Sequence, residues 1–129
     1  MFDLIKQKFV EYLRGLGYTV GDSWVARGTL PHINVRTNGG SFRPLRAARD
    51  SNLTLTLDIF SDYHGEKEIL QIVDNVNSHL LEFIDANPQV IYAAQISNHI
   101  LEDKETGPVC KHGVISYSFT LAEGDEISG

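Results

Sequence analysis

The sequence predicts an α+β fold, with two helices packed on one face of a largely antiparallel sheet and a long loop between the early strands. Three observations carry this. Two stretches repeat apolar residues at spacings of three and four, as helices do, and several others alternate apolar with polar, as half-buried strands do. Strands and helices do not follow one another in the regular βαβ order of a parallel sheet. With 129 residues the chain is of the size of one domain, so residues 1–129 are read as a single unit able to bury a core without disulfides.

From Phe2 to Leu16 the apolar residues Phe2, Ile5, Phe9, Tyr12, Leu13 and Leu16 fall on one stripe with Lys6, Lys8, Glu11 and Arg14 mostly between them, which predicts an amphipathic helix. Gly15 and Gly17 supply its stop, since glycine accepts the positive φ that a helix C-terminus commonly needs. Between Tyr18 and Arg36 short apolar pieces interrupted by Gly21, Gly28 and Pro31 predict one short strand and a second around residues 30–36. Asn38-Gly39-Gly40 is a turn signal, but no strand pattern follows at once, so residues 37–52 are expected to form a long loop.

Leu53 to Phe60 is the clearest strand, with Leu53, Leu55, Leu57 and Ile59 on one face and Thr54, Thr56 and Asp58 on the other. Glu66 to Ile84 sets Ile69, Ile72, Val73, Val76, Leu80, Phe83 and Ile84 on one stripe, predicting a single long helix with Glu66 and Glu68 in its first turn and Asn87-Pro88 at its end. Residues 90–101 and 113–121 read as a pair of strands, Ile115, Tyr117, Phe119 and Leu121 alternating with Val114, Ser116, Ser118 and Thr120. Leu55, Leu57, Ile72, Val76 and Phe119 are expected in the core, and Trp24, Tyr92 and Tyr117 are most easily core aromatics, an exposed subset suiting an oligomer interface. The sheet face opposite the helices, including Thr54 and Thr56, is expected to lie open or to meet a neighbour. Residues 123–129 are acidic and small and are expected to fray.

Apolar residues make up 42% and charged residues 22%, outside the composition of disordered chains. No apolar run approaches the roughly 18 residues of a membrane span, and the start MFDLIKQKFVEYL lacks the uninterrupted apolar segment of a signal peptide, so a soluble, cytoplasmic protein is expected. The net charge of −6 is unevenly spread. Five arginines (27, 36, 43, 46 and 49) occur without an acid between Arg27 and Arg49, and the rest carries six bases against seventeen acids. This polarity suits a partner of opposite sign, including a neighbouring copy, and Arg43, Arg46 and Arg49 are the candidate contact residues.

Tests for chemistry return little. No glycine-rich phosphate loop and no nucleophile elbow is present. The single cysteine, Cys110, reads as a packed or semi-exposed thiol, its proximity to His112 being a weak nucleophile argument. The histidines at 32, 64, 79, 99 and 112 are too dispersed for a metal-binding spacing. No catalytic residue, metal or cofactor is therefore assigned. Asp58, Asp62 and His64 cluster at the end of the strongest strand, where they could serve a small enzyme or ligand-binding domain. Asp62 and Ser61 could equally cap the next helix. A nucleic-acid adaptor using the arginine-rich loop is a third reading, disfavoured by the acidity elsewhere, and predicts steeply salt-dependent binding.

The segment LTLTLDIFSDYHGEKEILQIVDNVNSHLLE resembles the strand, aromatic-Ser turn, Tyr-x-Gly-x-x-Glu and helix of phage tail terminator, or tail completion, proteins. The order of elements is similar over most of the chain: an N-terminal helix, strands with a long loop, then strand, turn, helix and two final strands. The resemblance implies a structural protein of the virion tail, assembled in the host cytoplasm, that forms a ring, usually hexameric. Such a ring caps the tail tube, stops its polymerisation and presents a surface for head-to-tail joining. Its implied partners are further copies of itself, the tube protein and the head-tail connector, with DNA passing through the lumen without sequence-specific binding. No enzyme activity is implied, and no single residue is a signature whose role carries over.

Overall fold

The structure is a computed structural model that describes residues 2–21, 31–42, 50–61, 66–103 and 110–122. Helix α1 (Phe2–Gly15) buries Ile5, Phe9 and Leu13 at the predicted spacing. Its stop is a Schellman arrangement: Tyr18 N–H donates to Leu13 O (3.3 Å) and Gly17 N–H to Arg14 O (3.0 Å). The positive φ this requires, 102°, falls on Gly17, the residue that tolerates it without a Cβ clash.

Five strands follow, β1 (Val20–Gly21), β2 (His32–Phe42), β3 (Asp50–Ser61), β4 (Val90–Asp103) and β5 (Cys110–Ala122), in the spatial order β1-β2-β3-β5-β4. Among the described residues only the β1–β2 contact is parallel. The fold is thus the α+β arrangement expected, with two corrections to its outline. The loop placed at residues 37–52 is largely strand: β2 continues through Asn38-Gly39-Gly40, with Gly39 opposite Thr54 and Gly40 opposite Leu53, and β3 begins at Asp50. The register slips by one between Thr37 and Gly39, a bulge that absorbs the extra residue and lets a glycine-containing stretch stay on the ladder that β3 templates. What remains between β2 and β3 is residues 43–49, which lie outside the described residues.

The second correction is to the long helix. It is two, α2 (Glu66–Ser78) and α3 (Leu80–Ala86), interrupted at His79. There the backbone N–H bonds back only three residues, to Val76 O (3.2 Å), while the ring Nδ1–H takes the carbonyl of Asn75 (2.9 Å) that a regular turn would offer to the backbone. The apolar stripe runs across the break undisturbed, burying Ile69, Ile72, Val73 and Val76 before it and Leu80 and Phe83 after it. Asn87 ends α3, its Nδ2–H donating to Phe83 O (2.8 Å).

All three helices lie over one face of the sheet, where they bury Ile33 and Val35 of β2, Leu53, Leu55, Leu57 and Ile59 of β3, and Ile115, Tyr117, Phe119 and Leu121 of β5. The five predicted core residues are all within it. Two tyrosine hydroxyls find partners at the edge of this core: Tyr12, half-buried, donates to Val76 O (2.8 Å) and Tyr117 to Asn77 Oδ1 (2.7 Å). Burial, with the Glu82 charge second, pushes the Tyr12 hydroxyl up to about 12, and burial pushes Tyr117 up as well. Tyr92, expected in the core, is instead 61% exposed, because β4 is the edge strand and Tyr92 points to the face without helices, opposite Thr120. Trp24 lies outside the described residues. No helix among the described residues is long and apolar enough to cross a membrane.

Gly113 shows how closely α2 is seated. It lies on the helix-covered face opposite Ile59, and a Cβ there would stand 2.6 Å from Ile69 Cγ2 and 3.1 Å from Ile115 Cδ1. Ile69 is fully buried, and a β-branched residue in a helix has one strongly preferred χ1 rotamer, so moving Cγ2 aside requires a strained rotamer or a shift of the helix. Gly113→Ala is expected to cost about 1–3 kcal/mol by overpacking. A urea titration measures it, and an unchanged midpoint would show that α2 slides freely over this position.

Candidate functional site

The sheet face opposite the helices is less open than the alternation of β3 suggests. Thr56 and Asp58 are 1% and 4% exposed, and Ser116 beside them on β5 is buried too. The polar side chains of this face bind one another. Thr56 Oγ1 and Ser116 Oγ share a hydrogen bond of 2.9 Å across the directly opposed pair. One pair along, Asp58 collects side chains from both neighbouring strands.

Arg36 of β2 donates Nε–H to Asp58 Oδ2 at 2.7 Å, with Nη2 at 3.4 Å from Oδ1. His112 of β5 donates Nε2–H to Oδ1 at 2.9 Å, and its ring stacks on Phe60 at 4.4 Å with 20° between planes. These contacts are diagonal on the sheet, since the residues directly opposite Asp58 are Asn34 and Val114. Burial pushes the Asp58 carboxyl up, but hydrogen bonds from His112 and Arg36, and their charges, outweigh it and hold the group below its ordinary value. A second small group adjoins, in which His32 Nε2 and Asn34 Oδ1 are 2.9 Å apart. The His32 ring lies against Gly21, where a Cβ would come within 3.3 Å of it.

Chemically, Asp58 is a carboxylate with both oxygens engaged and its proton affinity lowered, which suits a fixed anion clamping three strands better than a general base near neutral pH. Of the sequence-derived corner, Asp58 alone is described; Asp62 and His64 lie outside the described residues, as do Arg43, Arg46 and Arg49. Cys110 begins β5 opposite Asp103, and the imidazole two residues on is turned to Asp58. Among the described residues no group of three or more His, Cys, Asp or Glu could hold a metal ion. Sequence reasoning missed Arg36 and His112 as partners of Asp58. The available signal was an acid in the polar row of a central strand, which needs bases from its neighbours.

The junction between β3 and α2 is the other place where the sequence concentrates meaning. Ser61, fully buried at the end of β3, donates its hydroxyl to Glu68 in the first turn of α2. No protein-family model matches the chain, and no curated protein matches it.

Proposed function

We propose that this chain is a structural subunit of a phage tail that caps the tail tube as a ring, most naturally a hexamer, ending polymerisation and offering the head-to-tail joining surface. The observation that carries the reading is the β3–α2 junction. Ser61 and Glu68, two polar residues of the segment that resembles tail terminators, are bonded to each other, which ties the end of β3 to the first turn of α2; Tyr63 and Gly65 of that segment lie outside the described residues. The element order, and a sheet whose described helices all lie on one face, fit the same reading. In this proposal the subunit works with copies of itself, the tube protein and the head-tail connector, and Arg43, Arg46 and Arg49 touch the acidic surface of the next subunit, the tube or the lumen. An enzymatic role centred on Asp58 gains nothing from a carboxylate already held by Arg36 and His112.

The test is to add purified protein to tubes grown from the tube protein of the same genome and image them by electron microscopy. Density at tube ends and a halt in elongation are expected, and Arg43, Arg46 and Arg49 replaced together by Ser should weaken the capping. Tubes that stay bare and keep growing at saturating protein would end the proposal.

A further inference from the structure

We infer that two copies of this chain pair through β4, edge to edge and antiparallel about a two-fold axis, joining their sheets into one; this goes beyond the ring reading and does not rest on it. Among the described residues β4 is the last strand of the sheet, with β5 on its inner side. It is 14 residues long, and it carries four of the seven large apolar residues that stand exposed among the described residues: Ile91, Tyr92, Ile96 and Leu101, at 52%, 61%, 58% and 53%. From Val90 to Leu101 there is no Lys, Arg, Asp, Glu, Pro or Gly. Beyond the β5 ladder, the bonds of this stretch go to Asn87 at its start and to Asn77 over its helical face.

Proteins that stay single guard a long edge with lysine, proline, brevity or bulges, and β4 has only the last of these. Ile91 and Ile96 are extra residues without an opposite number on β5. The second bulge is what selects a copy of the same strand. Before it, Tyr92 and Ala94 lie on the face away from the helices and Ala93 and Gln95 on the helical face; after it, Ser97, His99 and Leu101 lie away from the helices and Asn98 and Ile100 on the helical face. Turned on itself about an axis beside Ile96, the strand sets Tyr92 opposite Leu101, Ala93 opposite Ile100, Ala94 opposite His99 and Gln95 opposite Asn98, every pair on one face. Residues an odd number of positions apart point to opposite sides of a regular strand, so without the extra residue each of these pairs would be mismatched.

The pairs are matched chemically too: aromatic with aliphatic, alanine with isoleucine and amide with amide, and no charge meets its like. Slipping the register by two residues breaks the face match in either direction, at Val90 against Leu101 or at Ser97 against Asn98. A second copy is therefore the occupant that register and chemistry together select. The contact is isologous and closes at two copies, so pairing ends with both β4 edges covered. It describes the subunit away from the tube, and a six-fold ring needs other surfaces.

Sedimentation equilibrium of the full chain tests this. The parent should run at twice the 14.4 kDa of the subunit and dissociate on dilution, and Ile96→Lys should run at 14.4 kDa, because the axis brings residue 96 of the two copies together. Ile96→Glu should do the same, and an equimolar mixture of the two variants should return to twice 14.4 kDa, which misfolded chains would not do. In a Cys110→Ser background, Tyr92→Cys chains mixed with Leu101→Cys chains should form a disulfide on oxidation that neither forms alone. A parent at 14.4 kDa at every concentration, charged variants that keep the parent's mass, or cysteines that link like to like or to the tube protein would each overturn the inference. Failure of the pairing leaves the ring reading standing, and bare tubes beside an intact dimer would remove the ring reading alone.

Discussion

Replacing Phe9 by alanine is expected to lower the free energy of unfolding by about 3–5 kcal/mol, a large share of the 5–15 kcal/mol that holds a typical domain together. Phe9 is fully buried and sits at the centre of an aromatic group: its ring lies 5.1 Å from Phe119, 5.3 Å from Phe83, 5.5 Å from Tyr12 and 5.8 Å from Tyr117. The contacts with Phe83 and Phe119 are edge-on, at 76° and 72°, the geometry that aligns ring edges with ring faces. Those partners come from α1, α3 and β5, so the ring joins the first and last parts of the chain. Its neighbours are stiff aromatics that cannot collapse into the space, which places the expected cost toward the upper part of the range. Chemical denaturation should show the midpoint falling with an unchanged slope. A loss under about 1.5 kcal/mol would mean that the three elements repack around a smaller residue.

Much of the fold was legible because each signal was local. The stripes within 2–16 and 66–84 and the rows Leu53, Leu55, Leu57, Ile59 and Ile115, Tyr117, Phe119, Leu121 depend only on the burial of every third, fourth or second residue, and the structure buries these rows against the helices. It buries Thr56, Asp58 and Ser116 of the opposite rows as well. The errors came where a local signal met a distant partner. Asn38-Gly39-Gly40 reads as a turn by its own chemistry, yet the ladder of β3 carries β2 through it with a one-residue bulge. Glu66–Ile84 reads as one helix by periodicity, and the Ser78 hydroxyl and the His79 ring nitrogen, both taking the Asn75 carbonyl, divide it. Tyr92 looked like core because its type usually is, but sheet order decides whether a strand is central or at the edge, and no residue within the strand encodes that order.

The candidate site was half legible for the same reason. Asp58 stands out in sequence as an acid in the strongest strand, and the nearest chemistry along the chain is Asp62 and His64. In space its partners are Arg36 and His112, respectively 22 and 54 positions away. Both are positioned by strand register, which becomes known only when β2, β3 and β5 are set side by side. A buried carboxylate in mid-sheet demands neutralisation, and this demand could have been stated from sequence even though its suppliers could not.

That demand makes Asp58 the second position where a small change should have a large effect. Asp58→Asn keeps the size and one carbonyl acceptor but removes the charge, leaving Arg36 and His112 to share a neutral group. Losing a buried, charge-assisted network of this kind is expected to cost about 1–3 kcal/mol near neutral pH. Arg36 is half exposed and can turn its guanidinium to water, so Arg36→Gln should cost less, within the roughly 0–1 kcal/mol of a solvent-screened pair. The pH dependence separates charge from shape. Because the folded state holds the Asp58 carboxyl below its ordinary value of 3.8, the unfolded chain binds the proton first on acidification. The stabilisation is fully present above that value and is lost as pH falls through the depressed one. The parent should therefore lose stability in this acid window, and Asp58→Asn should lose less there, the two curves converging toward the lowest pH at which both still fold. Parallel curves across the same range would assign Asp58 a packing role and remove its charge from the account of what holds β2, β3 and β5 together.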